Sequence, residues 1–258
     1  MTHAPTTISI QLWHAAVSIE EAMHPKLRGT PFAIADLGGV QPRIVDANDA
    51  ARSLGVRTRM TVAQAMERAP RLVLRPQNTQ RLDAFLKVYK RLGKRWGSVV
   101  RHAGADLMLV TTSLTLLERT SLFLKIQAAC WRELECQVTV GMGSTPTYAE
   151  LARRGLRQPG WQYLAPQNAE ILHHLPVRLL PRVGDRTAAA LQASGIRTIA
   201  DFAQQSPTAV LRALGRSGLQ LYARARGEEV VPEPTAERAP SQLPFPTSWL
   251  FPNLATAG

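Results

Sequence analysis

The chain has 258 residues, 45% of them hydrophobic and 19% charged, a balance that excludes a disordered protein and suits one large domain or two to three small ones. Lys and Arg number 31 against 19 acidic residues, a formal net charge of +12, which fits a nucleic-acid partner or else an Arg-rich proteome. No apolar run reaches a membrane span of roughly 18 residues, no basic-then-apolar leader opens the chain, and Cys130 and Cys136 cannot staple it; a cytoplasmic, nucleoid-associated protein with no membrane partner is expected.

Alternation over residues 8–13 predicts a strand, followed by a helix over 17–23 that Pro25 ends. Short strands are expected over 31–35 and 43–45. Helices follow over 48–54 and 61–68, the second opened by Thr61 as N-cap with Gln64 three residues on. Residues 80–96 read as a long amphipathic helix with Leu82, Phe85, Leu86, Tyr89 and Leu92 on one face. A strand over 107–110, a helix over 121–134 and a strand over 137–140 complete an α+β pattern, an antiparallel or mixed sheet with helices on one face. After Pro166 the pattern changes to short helices over 169–174, 187–194, 199–204 and 207–214. From Pro232 prolines recur at 234, 240, 244, 246 and 252, so an extended or disordered tail is expected.

Three stretches resemble the Y-family, or translesion, DNA polymerases. Ser18-Ile19-Glu20 followed by Pro25-Lys26-Leu27-Arg28-Gly29-Thr30-Pro31 looks like that family's first palm helix leading into its fingers. Arg43-Ile44-Val45, Asn48, Ala51-Arg52, Gly55-Val56-Arg57, Met60, Ala65 and Ala69-Pro70 resemble its fingers signature. Residues 141–152, with Leu175-Pro176-Val177 and Gly195-Ile196-Arg197-Thr198-Ile199, resemble the last palm motif and a thumb. The resemblance implies a palm over 1–30 and 80–165, fingers over 31–79, and a helical thumb with a helix-hairpin-helix-like turn over 166–231. A Pro-rich tail, 232–258, stands where the family's little finger would follow.

The same resemblance implies two Mg²⁺ ions held by three carboxylates, since Mg²⁺ wants hard oxygen ligands. Here Gln11 and Trp13 stand at the two first-strand aspartates, Ala105 at the hairpin aspartate, and Asp106 at the glutamate. The nucleotide pocket changes too: Asp46 and Asp49 replace a hydroxyl and a tyrosine, Arg52 is kept, Glu150 replaces a lysine, and Ala16 stands at the sugar gate. This pattern resembles the ImuB-type branch, which implies a non-catalytic pseudoenzyme, a DNA-binding or clamp/polymerase adaptor in DNA-damage tolerance and the SOS response. No catalytic residue, metal or cofactor is then expected. The alternatives are a weak translesion polymerase with an unorthodox Mg²⁺ site at Asp106, or a protein-only scaffold. Metal binding at Asp106 with His14 and His102, which flank the same strands, is a further alternative.

DNA contacts, to primer–template or single strands, are expected from Arg57 and Arg59 in the fingers and from Arg178, Arg182, Gly184, Arg186 and Arg197 in the thumb. Leu180 to Thr187 resembles a helix-hairpin-helix turn, with Arg182 at its first glycine position, either touching phosphate or purely structural. Gln242, Leu243 and Phe245 resemble a sliding-clamp-binding peptide, or else belong to a plain linker. A RecA-like protein and an error-prone polymerase are the other partners the resemblance implies.

Overall fold

The structure is a computed structural model that describes residues 5–164 and 174–231. Two sheets and a helical cluster share the chain. The larger sheet has the order β5-β6-β1-β7-β8, built from β1 (Thr6–Leu12), β5 (Ser98–Ala103), β6 (Asp106–Thr111), β7 (Val138–Gly143) and β8 (Gly160–Leu164). Central β1 runs antiparallel to both neighbours, and β8 joins β7 in parallel.

The two-residue period of a strand divides this sheet into two faces. Ile8, Ile10 and Leu12 turn to one side with Leu107, Leu109, Val138, Val140 and Met142 and are buried there. Helices α4 (Thr79–Gly93) and α5 (Leu116–Leu134) cover that side through Tyr89, Leu92, Leu122, Ile126 and Cys130. Helix α5 begins earlier than the apolar periodicity predicts, because Thr115 and Glu118 form a capping box.

Ser9 and Gln11 alternate to the other side, where α6 (Pro146–Gly155) lies across β1 and β7. Two glycines make this contact possible. A Cβ on Gly141 would stand 2.0 Å from the Ala149 carbonyl oxygen, and one on Gly143 would stand 2.7 Å from Tyr148 Cβ.

The smaller sheet, order β3-β2-β4, contains β2 (Phe32–Asp36), β3 (Arg43–Ala47) and β4 (Val73–Pro76). With α2 (Asp49–Ser53) and α3 (Val62–Arg68) it closes around its own core of Ala33, Ala35, Ile44, Ala51, Val56 and Ala65. Thr61 and Gln64 form the expected capping box at α3. Helix α1 (Ala15–Met23) joins the two sheets through Val17, which packs on Phe32 and Ile34.

Beyond residue 174, α7 (Asp185–Ala193), α8 (Ile199–Ala203) and α9 (Pro207–Ala225) bury Leu191, Ile199, Phe202, Val210 and Leu221 together with Tyr148 and Leu151 of α6. Helix α9 runs past the expected end at 214 and kinks at Gly215, whose φ is 66°. Helix α6 therefore links the polar face of the larger sheet to the core of the C-terminal helices. The expected helix over 169–174 falls almost wholly outside the described residues, and the proline-rich tail lies outside them altogether.

Candidate functional site

The sheet register places Gln11 directly opposite Asp106, so the first-strand and hairpin positions meet as the sequence requires. Trp13 lies just beyond β1, where its backbone N–H donates to the Gln137 carbonyl at 2.8 Å. The Ala105 carbonyl accepts from Leu12 N–H at 3.2 Å. Neither Trp13 nor Ala105 brings charge to this end of the sheet.

Positive charge arrives from α6 instead. Arg153 is only 7% exposed. Its Nε donates to Ser9 Oγ at 3.0 Å, its Nη1 donates to Gln11 Oε1, and its Nη2 stands 3.5 Å from Asp106 Oδ1. That Asp106 oxygen is buried and accepts no hydrogen bond. Burial pushes the Asp106 carboxyl above its ordinary range, against the pull of Arg153.

Next to this group, Glu150 accepts from Arg101 Nη2 at 2.7 Å and from Arg154 Nη2 at 2.6 Å. An irregularity in β5 between Val99 and Arg101 precedes the arginine that reaches over to α6. Burial raises the Glu150 carboxyl, but the Arg101 hydrogen bond and the charges of Arg154, Arg101 and Arg153 outweigh it and hold the group low.

A pair of Mg²⁺ ions needs several anionic oxygens around each bridging position. The structure offers one half-buried carboxylate, one neutral amide and a guanidinium lying between them. Among the described residues, no three His, Cys, Asp or Glu side chains are grouped to hold a metal. The residues present do not fit a Mg²⁺ pair, and His14 and His102 do not complete a site with Asp106. His102 lies beside the Tyr89 ring, its Nε2 buried without a partner, and His14 turns toward the smaller sheet. Cys130 and Cys136 are free and buried, and burial raises the Cys136 thiol to about 11.

Two of the residues expected at a nucleotide pocket, Asp46 and Arg52, meet with His14 in a second cluster. Asp46 Oδ1 accepts from His14 Nδ1 at 2.7 Å, from Arg52 Nη2 at 3.1 Å and from the Ala47 N–H at 2.9 Å. Arg52 Nε also donates to the Ala47 carbonyl at 2.8 Å. Asp49 is exposed at the start of α2 and lines a cleft of about 300 Å³ with Trp13, His14, Glu21, Trp131 and Glu135. Ala16 is half-buried beside Val17 and Phe32. Glu150 belongs to the α6 group and makes its ion pairs there.

The arginines expected to meet DNA are all exposed: Arg57, Arg59, Arg178, Arg182, Arg186 and Arg197. None is in an ion pair among the described residues. Arg182 takes φ 69°, a left-handed conformation that glycine adopts freely and other residues rarely do. Gly184 then caps α7 with no side-chain partner for the first helical N–H groups. Gln242, Leu243 and Phe245 lie outside the described residues.

Arg153 and Arg101 are the site residues that sequence reasoning missed, and His14 was noted there only as a possible ligand. A signal existed for Arg153: Thr145-Pro146 begins a helix and Gly155 ends it, which puts Arg153 in the last turn, above the polar face of β1.

A model of the impB/mucB/samB family matches residues 10–154. DNA polymerase IV of Cronobacter sakazakii is 30% identical over 231 residues, 85% of this chain and 63% of that protein. DNA polymerase IV of Actinobacillus pleuropneumoniae serotype 5b is 26% identical over 221 residues, 83% of this chain and 61% of that protein. The chain thus spans less than two thirds of the length of these curated relatives. Among solved structures, an insertion ternary complex of Dbh DNA polymerase superposes with a TM-score of 0.79, at 20% identity, over 88% of this chain and 69% of that one. DinB from Sulfolobus solfataricus gives 0.72, at 20% identity, over 88% and 68%. These likenesses establish a mixed α+β fold of the palm, fingers and thumb kind. The sequence-based expectation of a non-catalytic adaptor and pseudoenzyme is corrected here: it rests on missing acids, whereas the relatives bear the name of an enzyme, DNA polymerase IV.

Proposed function

Because the chain belongs to the impB/mucB/samB family, within the Y-family DNA polymerase superfamily, we propose that it acts in translesion synthesis and DNA repair as a weak template-directed nucleotidyltransferase. The observation that carries this reading is the meeting of β1 and the β5–β6 hairpin at Gln11 and Asp106, in a chain whose relatives are named polymerases. Asp106 is the carboxylate on which any Mg²⁺ dependence would rest, and the groups around it do not fit a metal pair.

The chain's own residues would do the holding. Residues 1–30 with 80–165 form the palm, 31–79 the fingers and 166–231 the thumb; the separate cores under the larger sheet and within the smaller one support the first division, while the C-terminal core also takes in Tyr148, Leu151 and Leu164 from the palm range. Arg178, Arg182, Arg186 and Arg197 supply cations and Gly184 a helix start to a DNA backbone, and Arg57 and Arg59 do the same from the fingers. Arg52, braced by Asp46 and the Ala47 carbonyl, is the cation that would meet a nucleotide phosphate. A cytoplasmic, nucleoid-associated location follows from that role.

Within the superfamily we place the chain near the ImuB-type branch on Gln11, Trp13 and Ala105 alone, as a statement of ancestry. A sliding clamp docking on Gln242, Leu243 and Phe245, with a RecA-like protein and an error-prone polymerase nearby, is the partner set proposed with it. Removal of residues 234–258 should then abolish clamp capture.

Primer extension by the purified chain, in Mg²⁺ and then Mn²⁺, tests the activity. The expected result is slow extension that disappears in Asp106→Ala. No extension with either metal, from protein that still binds primer–template, would overturn the proposal.

A further inference from the structure

We infer that Arg153 is a built-in cation of the substrate-free palm, a latch that occupies the space beside Gln11 and Asp106 and keeps divalent metal out. The inference rests on reading Gln11 and Asp106 as the reaction end of the sheet. It deepens that reading by naming what fills the site.

Four observations converge on this. An arginine is seldom buried unless its donors are satisfied, and the donors of this one end on Ser9, Gln11 and Asp106, all at one end of β1 and its hairpin. Its approach is built into β7: a Cβ on Gly141 would stand 2.3 Å from Arg153 N and 2.8 Å from Arg153 Cβ, so only glycine there lets this turn of α6 lie flush on the sheet. Its helix is tied to β5 through Glu150, which accepts from Arg101, while Arg154 pairs with the same carboxylate from within the helix. Finally, Asp106 Oδ1 is buried without a hydrogen bond, and Arg153 is its nearest countercharge.

The charges complete the case. Arg101, Arg153 and Arg154 face Asp106 and Glu150, three cations against two anions, so the group is already positive before any metal arrives. A divalent ion at Asp106 would meet that repulsion and would also have to strip Arg153 from Ser9 and Gln11, leaving both without a partner.

The test is Mn²⁺ binding to the full chain without DNA or nucleotide, read from the paramagnetic signal of free Mn²⁺ and from thermal unfolding in Mn²⁺ or EDTA. Wild type should bind no Mn²⁺ at Asp106 and should melt identically in both. Arg153→Met should melt lower in EDTA, bind Mn²⁺ where wild type does not, and regain part of its stability when the ion binds; a folded Arg153→Met that binds no Mn²⁺ would overturn the inference. Arg153→Lys, which keeps a cation, should stay blind to Mn²⁺. Wild type that binds Mn²⁺ and loses it in Asp106→Asn would overturn the inference whether or not Arg153→Met folds. Equal melting of wild type and Arg153→Met in EDTA would overturn it too. Both readings are independent of primer extension, so failure of the latch and failure of the polymerase proposal give different results.

Discussion

Arg101, Arg153 and Arg154, at the larger sheet, all end on carboxylates or neutral oxygens of their own chain, whereas Arg178, Arg182, Arg186 and Arg197, around the C-terminal helices, are exposed with no ion pair among the described residues. The two regions have the same residue type and opposite uses. Where α6 lies flush on β1 and β7, guanidinium groups are consumed in compensating buried acid. In the thumb these four guanidinium groups make no ion pair among the described residues, so they remain available to phosphate. The basic excess of the sequence is therefore not one patch but two populations, and only the unpaired one can carry salt-dependent binding.

The sharpest way to break the contrast is to push α6 off the sheet. Gly141→Ala places a Cβ 2.0 Å from the Ala149 carbonyl oxygen, a backbone atom that cannot swing aside. A loss of about 3 kcal/mol in chemical denaturation is expected; a near-neutral effect would mean that α6 is not held as described. Removing only the charge costs less. Arg153→Met should lower stability by about 2 kcal/mol, below the figure for a fully buried pair because the Asp106 side chain is 41% exposed.

Acid titration sharpens the contrast further. The Glu150 carboxyl is held low despite its burial, by the Arg101 hydrogen bond and the Arg154 charge, so its stabilisation is complete above the ordinary glutamate range. It is lost as pH falls below the ordinary glutamate range and through the lowered folded value. Asp106, raised by burial, has the opposite sign: its cost is felt at neutral pH and relieved as acid protonates it. Denaturation midpoints measured against pH should therefore show a weaker acid-side fall in Glu150→Gln than in wild type. An unchanged slope would detach Glu150 from the account of the arginines.

The smallest expected change lies in the thumb. Arg182→Gly relieves a left-handed backbone and should raise stability by about 0.5 kcal/mol, while weakening primer–template binding and reducing its salt slope by about 1. Gain of stability without loss of binding would make the turn structural only.

Much of this architecture is legible in the residues. Alternation at Ile8, Ile10 and Leu12 fixes the face of β1, and the Thr61–Gln64 pair starts α3 where expected. Strands β5 and β8 escape notice because both are half-exposed edge strands of the sheet, without the clear alternation of its centre. The acid count at Gln11, Trp13, Ala105 and Asp106 is readable, but what replaces the missing charge is not. Arg153 acquires its role only when α6 crosses β1, a contact between residues 142 positions apart in sequence. The function expected from that count went astray because what overturns it, the name DNA polymerase IV borne by the relatives, is not written in those four positions.

One titration bears on the contrast most directly: primer–template affinity of the wild-type chain across a series of salt concentrations, once in EDTA and once in Mg²⁺. Affinity should fall with salt, by a log–log slope of about −0.9 for each phosphate neutralised, and the two series should coincide, because the exposed arginines do the binding and the palm is already compensated. Binding that appears only in Mg²⁺, or that ignores salt, would contradict it.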